Sequence, residues 1–155
     1  MRQMTMSAPA ERPWRAGPAA IDHGPMHTTG PGPAGSLRVV VVDADDLVRQ
    51  TVASLLGIGD RVSVVGIAGQ PGPALELIAT ARPDVVLIDP RLPTIDDGLA
   101  FIRRLCTVAP DVKVLAVCTP EYLQRAGEAE GVDRCLRKTF RPDDLTAAIV
   151  AAAAQ

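Results

Sequence analysis

The chain has 155 residues, of which 47% are hydrophobic, and it carries a formal net charge of −2. This length accommodates one ordinary hydrophobic core and is too short for two typical domains. A near-neutral chain without clustered Lys and Arg lacks the positive surface that nucleic acid binding normally requires. Because no apolar run reaches the roughly 18 residues of a membrane-spanning helix, we expect a cytoplasmic protein that binds neither nucleic acid nor membrane directly.

Residues 1–36 differ in composition from the rest of the chain. In this segment 11 of 36 residues are Pro or Gly, and the apolar residues show no periodicity. Such a segment cannot bury enough apolar surface to offset the entropy lost on ordering. The sequence therefore predicts a disordered N-terminal tail over 1–36 and one folded domain over 37–154.

The folded part alternates short apolar runs with amphipathic stretches. The apolar runs are rich in branched residues and are bounded by turn signals, which is typical of strands. Several are apolar on both faces, as in parallel strands that are covered by helices on both sides. The predicted strands are 37–42, 61–68, 84–89, 112–117 and 133–137.

The stretches between the strands have helical periodicity and helix start signals. Asp46 is placed to cap the first helix, and Pro142 opens the last one, where two aspartates follow near the positive end of the helix dipole. Repeated β-α units predict a doubly wound, flavodoxin-like α/β fold with five parallel strands in the order 2-1-3-4-5. The predicted helices are 47–56, 73–81, 99–108, 120–129 and 142–154.

Two aspartates mark the ends of neighbouring strands in this order. Asp43 follows the first strand and Asp89 ends the third. In doubly wound sheets, ligands bind beyond the carboxyl ends of the strands, where the strand order reverses. We therefore expect both carboxylates to face one crevice.

Four segments near the predicted crevice resemble the receiver domain of bacterial two-component response regulators. The similarity extends over residues 37–154. It implies that Asp89 accepts a phosphoryl group from a histidine kinase or another phosphodonor, and that Lys138 pairs with the acceptor carboxylate and then with the phosphoryl group. The segments are VVVVDADDLVR, DVVLIDPRLPTIDDG, VLAVCT and LRKTF.

The resemblance also implies a magnesium ion, held by Asp43, Asp89 and the backbone carbonyl of Arg91. Receiver domains carry two adjacent acids after the first strand, and the second acid is a direct metal ligand. Here the pair is Asp43 and Ala44. Since Mg²⁺ prefers oxygen ligands, this departure predicts weak or absent Mg²⁺ binding and slow phosphorylation. Asp45 would replace the missing ligand only if the loop were reshaped.

Two switch positions of the family are also replaced. Receivers carry Ser or Thr at the end of the fourth strand, where the hydroxyl bonds the phosphoryl group, and an aromatic residue on the fifth strand. The corresponding residues here are Cys118 and Cys135, which are predicted to lie on adjacent strands. Thr119 follows Cys118 and would supply the hydroxyl if the strand end shifts by one residue.

Three functions are compatible with these residues. The first is a receiver that is phosphorylated inefficiently on Asp89 and signals by docking its last strand and helix on an output protein, with a homodimer left open. The second is a binding module of the same fold that works without phosphorylation. The third is a haloacid dehalogenase-like phosphatase with Asp43 as nucleophile and Asp45 as acid and base, because DADDLV also resembles the motif of those enzymes.

Overall fold

A computed structural model describes residues 34–119, 122, 131–138 and 141–155. The tail predicted as disordered over 1–36 lies outside the described residues up to residue 33. The helix predicted over 120–129 also lies outside them, apart from Tyr122. Both therefore stay predictions.

The described residues contain one sheet of five parallel strands. Its order is β2-β1-β3-β4-β5, as the β-α alternation predicts. Each strand boundary lies within one residue of its predicted position, and Asp89 lies directly after the third strand. The strands are β1 (Leu37–Val42), β2 (Val62–Ala68), β3 (Val85–Ile88), β4 (Lys113–Cys118) and β5 (Arg134–Arg137).

Four helices cover the sheet in the described part of the chain. Three of them begin earlier than predicted, by one, two and four residues for the first, second and third. None of the described helices is both long and apolar enough to cross a membrane. The helices are α1 (Asp46–Leu56), α2 (Pro71–Ala81), α3 (Ile95–Val108) and α4 (Pro142–Ala153).

Side-chain caps explain two of the wrong helix starts. Asp45, and not Asp46, is the N-cap of α1, because its carboxylate accepts a hydrogen bond from the Val48 amide at 3.0 Å. In the same way, the Thr94 hydroxyl accepts from the Asp97 amide at 3.2 Å and starts α3. Each cap satisfies an amide that has no partner within its helix.

The four valines of β1 have buried side chains on both faces of the sheet. Val39 and Val41 belong to the core that includes residues of α1 and α4, whereas Val40 and Val42 belong to the core that includes residues of α2 and α3. None is more than 2% exposed. Because burial of a valine stabilises a fold by about 1.5 kcal/mol or more, this strand is firmly anchored and fixes the position of the residues that follow it.

Candidate functional site

Asp43 and Asp89 lie side by side at the carboxyl edge of the sheet. The Asp43 amide donates to the Ala68 carbonyl at 3.1 Å, and the Asp89 amide donates to the Val42 carbonyl at 3.0 Å. These bonds extend the strand pairing by one residue beyond β1 and β3. Both side chains are therefore held in place with little solvent access, at 7% exposure for Asp43 and 9% for Asp89.

Lys138 brings a positive charge to the two carboxylates. It follows β5, and its amide donates to the Cys118 carbonyl at 3.0 Å. Its ammonium Nζ lies 2.7 Å from Asp89 Oδ2 and 3.4 Å from Asp43 Oδ2. The structure thus places together the three residues that the sequence predicts for the crevice.

Backbone amides orient both carboxylates. Asp43 Oδ1 accepts from the Asp45 amide at 2.9 Å, and Asp89 Oδ1 accepts from the Arg91 amide at 2.9 Å. The Oδ2 atoms contact Lys138, so each of the four carboxylate oxygens has an N–H donor. These hydrogen bonds hold each of the two carboxylates in one orientation.

Burial and charge act in opposite directions at this site. Burial raises the pKa of Asp43 above its usual value, although the Asp45 amide and the Lys138 charge oppose this shift. Burial alone would lower the pKa of Lys138, but its hydrogen bond to Asp89 and the charges of Asp89 and Asp43 outweigh burial and raise it. Lys138 is therefore charged at neutral pH. When both acids are ionised, the triad of Asp43, Asp89 and Lys138 carries more negative than positive charge and would attract a further cation.

The oxygen atoms at this edge can be compared with the ligands that Mg²⁺ requires. Within the residues that the structure describes, no group of three or more His, Cys, Asp or Glu side chains could hold a metal. Ala44 has no side-chain oxygen, and Asp45 is used as the cap of α1. Mg²⁺ is, however, commonly bound by one or two carboxylates together with a substrate phosphate. Asp43 and Asp89 meet that minimum.

Arg49 anchors the loop after β1 and was not predicted from the sequence. Its Nη1 donates to the Asp43 carbonyl at 2.8 Å, and its Nη2 pairs with Asp46. A Cβ on Gly69 would lie 2.4 Å from Nη1, so the neighbouring loop must approach closely here. The spacing of Asp46 and Arg49, three apart on a helix, indicates the ion pair but not the bond to the loop.

The loop that carries Asp89 packs tightly against α3. A Cβ on Gly98 would lie 1.6 Å from the carbonyl oxygen of Pro90, so the contact requires glycine. The loop contains a cis peptide bond between Leu92 and Pro93. The Leu92 amide donates to the Thr94 carbonyl at 3.1 Å, which closes the loop directly before α3.

The two cysteines lie on adjacent strands, as predicted, but diagonally. Cys135 pairs with Ala116, and Cys118 pairs with Arg137. Strand spacing puts the two cysteine Cα atoms about 8 Å apart, which exceeds the roughly 7 Å limit for a disulfide. Burial, the Cys135 thiol and the Asp89 charge raise the pKa of Cys118 to about 11. Cys118 is therefore an uncharged, buried thiol at neutral pH.

Among the residues that the structure describes, the buried hydroxyl of Thr119 finds no hydrogen-bond partner. Thr119 follows β4 directly, and no described group bonds its Oγ1. A buried hydroxyl without a partner is costly. Thr119 is next to Cys118, whose carbonyl accepts a hydrogen bond from the Lys138 amide. The Thr119 hydroxyl is therefore near the end of the strand that adjoins the crevice.

Comparisons with known proteins agree with this fold. The family model described as the response regulator receiver domain matches residues 39–150. A protein-glutamate methylesterase/protein-glutamine glutaminase of Anaeromyxobacter dehalogenans is 42% identical over 73% of this chain and 31% of its own length. Response regulator GacA of Pseudomonas viridiflava is 39% identical over 60% of this chain and 46% of its own length. The chain thus spans less than half of either relative.

Solved structures show the same domain. The signal receiver domain of NarL from Mycobacterium tuberculosis matches with a TM-score of 0.67 and 30% identity, over 77% of this chain and 97% of that chain. The alignment covers nearly the whole of that receiver domain, and the family model covers most of the folded residues described above. The chain therefore belongs to the response regulator receiver domain family, whose members act in two-component signalling.

Proposed function

We propose that Asp89 accepts a phosphoryl group, inefficiently, from a histidine kinase or another phosphodonor protein, and that the domain passes the signal on by docking on an output protein. One observation carries the proposal. Asp89 lies 2.7 Å from the Lys138 ammonium and beside a second buried acid, Asp43, at the end of a central strand. Capping does not account for this arrangement, because Asp45 caps α1.

The transfer needs a nucleophile and a way to offset negative charge. A carboxylate oxygen of Asp89 forms the new P–O bond while the P–N bond of a phosphohistidine donor breaks, and the imidazole leaves with the electron pair. The Arg91 amide holds the carboxylate in position. The Lys138 ammonium offsets the charge of the attacking group and remains beside the phosphoryl group after transfer.

A Mg²⁺ ion would be held by Asp43, Asp89 and the backbone carbonyl of Arg91. When bound, it would supply positive charge that offsets the negative charge of the attacking carboxylate and of the phosphoryl group. Ala44 has no side-chain oxygen with which to add a further ligand to this set. We infer that the affinity for Mg²⁺ is low and that this loss is one cause of slow phosphorylation.

The Thr119 hydroxyl, which has no partner among the described residues, supports a role for this residue in the same site. We propose that this hydroxyl donates a hydrogen bond to a phosphoryl oxygen. Cys118, at the position where receiver domains carry Ser or Thr, has no hydroxyl with which to do so. Thr119→Val should lower the rate of phosphorylation by about tenfold, since a hydrogen bond to a charged group is lost. Thr107→Val is the matched control, because the Thr107 hydroxyl bonds the Arg103 carbonyl on the exposed side of α3. Equal rates for both variants would remove Thr119 from the site.

Replacing the acceptor gives the main test. Incubation with acetyl phosphate and Mg²⁺ should add the mass of one phosphoryl group to the parent chain, and Asp89→Asn should abolish this addition because the amide is not a nucleophile. Asp111→Asn is the control, since Asp111 is exposed and follows α3, away from the acceptor loop. Retention of the added mass in Asp89→Asn would refute the assignment.

A phosphorylation-independent binding module is the second candidate. Two observations favour it: Ala44 lacks the metal ligand, and the buried Cys118 thiol stands where a hydroxyl is expected. In that case, the parent chain would gain no mass with acetyl phosphate at any Mg²⁺ concentration. The same experiment therefore separates the two candidates.

A further inference from the structure

Arg91, which lies in the loop that carries Asp89, contacts Tyr122, which follows β4 in the sequence. The guanidinium carbon of Arg91 lies 5.3 Å from the centre of the Tyr122 ring, within the range of a cation–π interaction. The Tyr122 amide donates to the Thr119 carbonyl at 3.0 Å, which holds Tyr122 near the end of β4. Arg91 is exposed, so its side chain is not packed into the core.

The backbone of Arg91 is tied to the acceptor. Its amide donates to Asp89 Oδ1 at 2.9 Å. The Cα atom of Arg91 therefore lies within a few ångströms of the carboxylate, and an arginine side chain is long enough to turn back over it. The same side chain can contact either the ring of Tyr122 or a group attached to Asp89.

Tyr122 also packs against the buried end of β4. It lies against the cluster of Ala116 and Cys118, as do Val132 and Cys135. The four residues of β5 include no aromatic side chain. Tyr122 is therefore the aromatic group that the described structure places between the acceptor loop and the β4–β5 edge.

We propose that Arg91 and Tyr122 are the switch of this domain. Without a phosphoryl group, the guanidinium rests on the ring. A phosphoryl group on Asp89 brings roughly two negative charges and several acceptor oxygens, which attract a guanidinium more strongly than a ring face does. Arg91 then leaves Tyr122, and the surface beside β5 changes. This inference rests on the proposed phosphorylation of Asp89.

Tyr122 is the only tyrosine of the chain, so it gives one signal when the full chain is labelled with 3-fluorotyrosine. We expect its ¹⁹F resonance to move when acetyl phosphate and Mg²⁺ add the phosphoryl mass in the same sample. In Arg91→Gln, the resonance should already be shifted without acetyl phosphate, and it should not move further on phosphorylation. Arg104→Gln, at an exposed position of α3, should behave like the parent.

The paired readouts separate the possible failures. A phosphorylated parent with an unmoved resonance would overturn the switch and leave the proposed function intact. A parent that gains no mass would overturn the proposed function and the switch with it. An Arg91→Gln spectrum that matches the parent before and after phosphorylation would overturn the role of the guanidinium.

Discussion

Lys138→Met should destabilise the domain by about 2 kcal/mol at neutral pH and slow the phosphorylation of Asp89 by about a hundredfold. The substitution keeps most of the side-chain volume but leaves two adjacent buried carboxylates without their cation. Removing one partner of a buried ion pair typically costs roughly 3–5 kcal/mol, and we expect less here because the Lys138 side chain is 21% exposed. The rate effect follows from loss of the charge that offsets the phosphoryl oxygens.

Urea unfolding at several pH values checks this prediction and the direction in which stability changes with pH. The pKa of Lys138 is raised in the folded state. The stability that Lys138 contributes is therefore fully present below pH 10.5 and is lost only as the pH rises through the higher pKa of the folded state. Without Lys138, the pKa of Asp43, already raised by burial from 3.8, should rise further. The variant should therefore regain stability as pH falls through that raised value, because the folded state takes up the proton first.

The other lysine of the chain provides the control. Lys113 is the first residue of β4, at the opposite end of the sheet from the carboxylates. Lys113→Met should change the free energy of unfolding by less than about 0.5 kcal/mol, as is usual for a substitution away from buried ion pairs. Equal unfolding free energies for the two variants at neutral pH would contradict the structural role of Lys138.

Ala44→Asp should increase the affinity for Mg²⁺ and the rate of phosphorylation by about tenfold each. The new carboxylate gives a hard cation one more oxygen ligand, and tenfold corresponds to about 1.4 kcal/mol. In the absence of metal, the variant should be less stable than the parent by about 1 kcal/mol, because a like charge is added beside Asp43 and Asp89. Calorimetric titration with Mg²⁺ and thermal unfolding measure the two effects.

Ala44→Asn is the matched control for charge. The amide offers an oxygen of similar position without a negative charge, so its gain in Mg²⁺ affinity should be smaller and its loss of stability slight. Identical Mg²⁺ titrations for the parent and Ala44→Asp would contradict the metal site inferred from Asp43, Asp89 and the Arg91 carbonyl.

The fold was predictable because the apolar pattern of its strands is strong. A strand such as Val39–Val42, apolar at every position, can be accommodated only where both faces are covered, and the structure confirms this. Helix starts were less predictable, because several residues near each start are able to cap. Asp45 and Asp46 are chemically equivalent in the sequence, and only the backbone conformation selects Asp45.

The candidate site was predictable to a similar extent. Asp43 and Asp89 follow neighbouring strands, so the sheet order brings them to one crevice. Lys138 was predicted from the resemblance of its segment to receiver domains. The bond from Arg49 to the Asp43 carbonyl and the stacking of Arg91 on Tyr122 depend on side-chain conformations and on contacts between distant segments. Periodicity and spacing contain no information about either.

Localising the acyl phosphate is the most direct test of the central claim, that Asp89 is the phosphoryl acceptor. Borohydride reduces an aspartyl phosphate to homoserine with release of phosphate, and leaves free carboxylates unchanged. After incubation of the full chain with acetyl phosphate and Mg²⁺, peptide mass spectrometry should find homoserine at residue 89 and aspartate at residue 43. Homoserine at any other position, with an unmodified Asp89, would contradict the account.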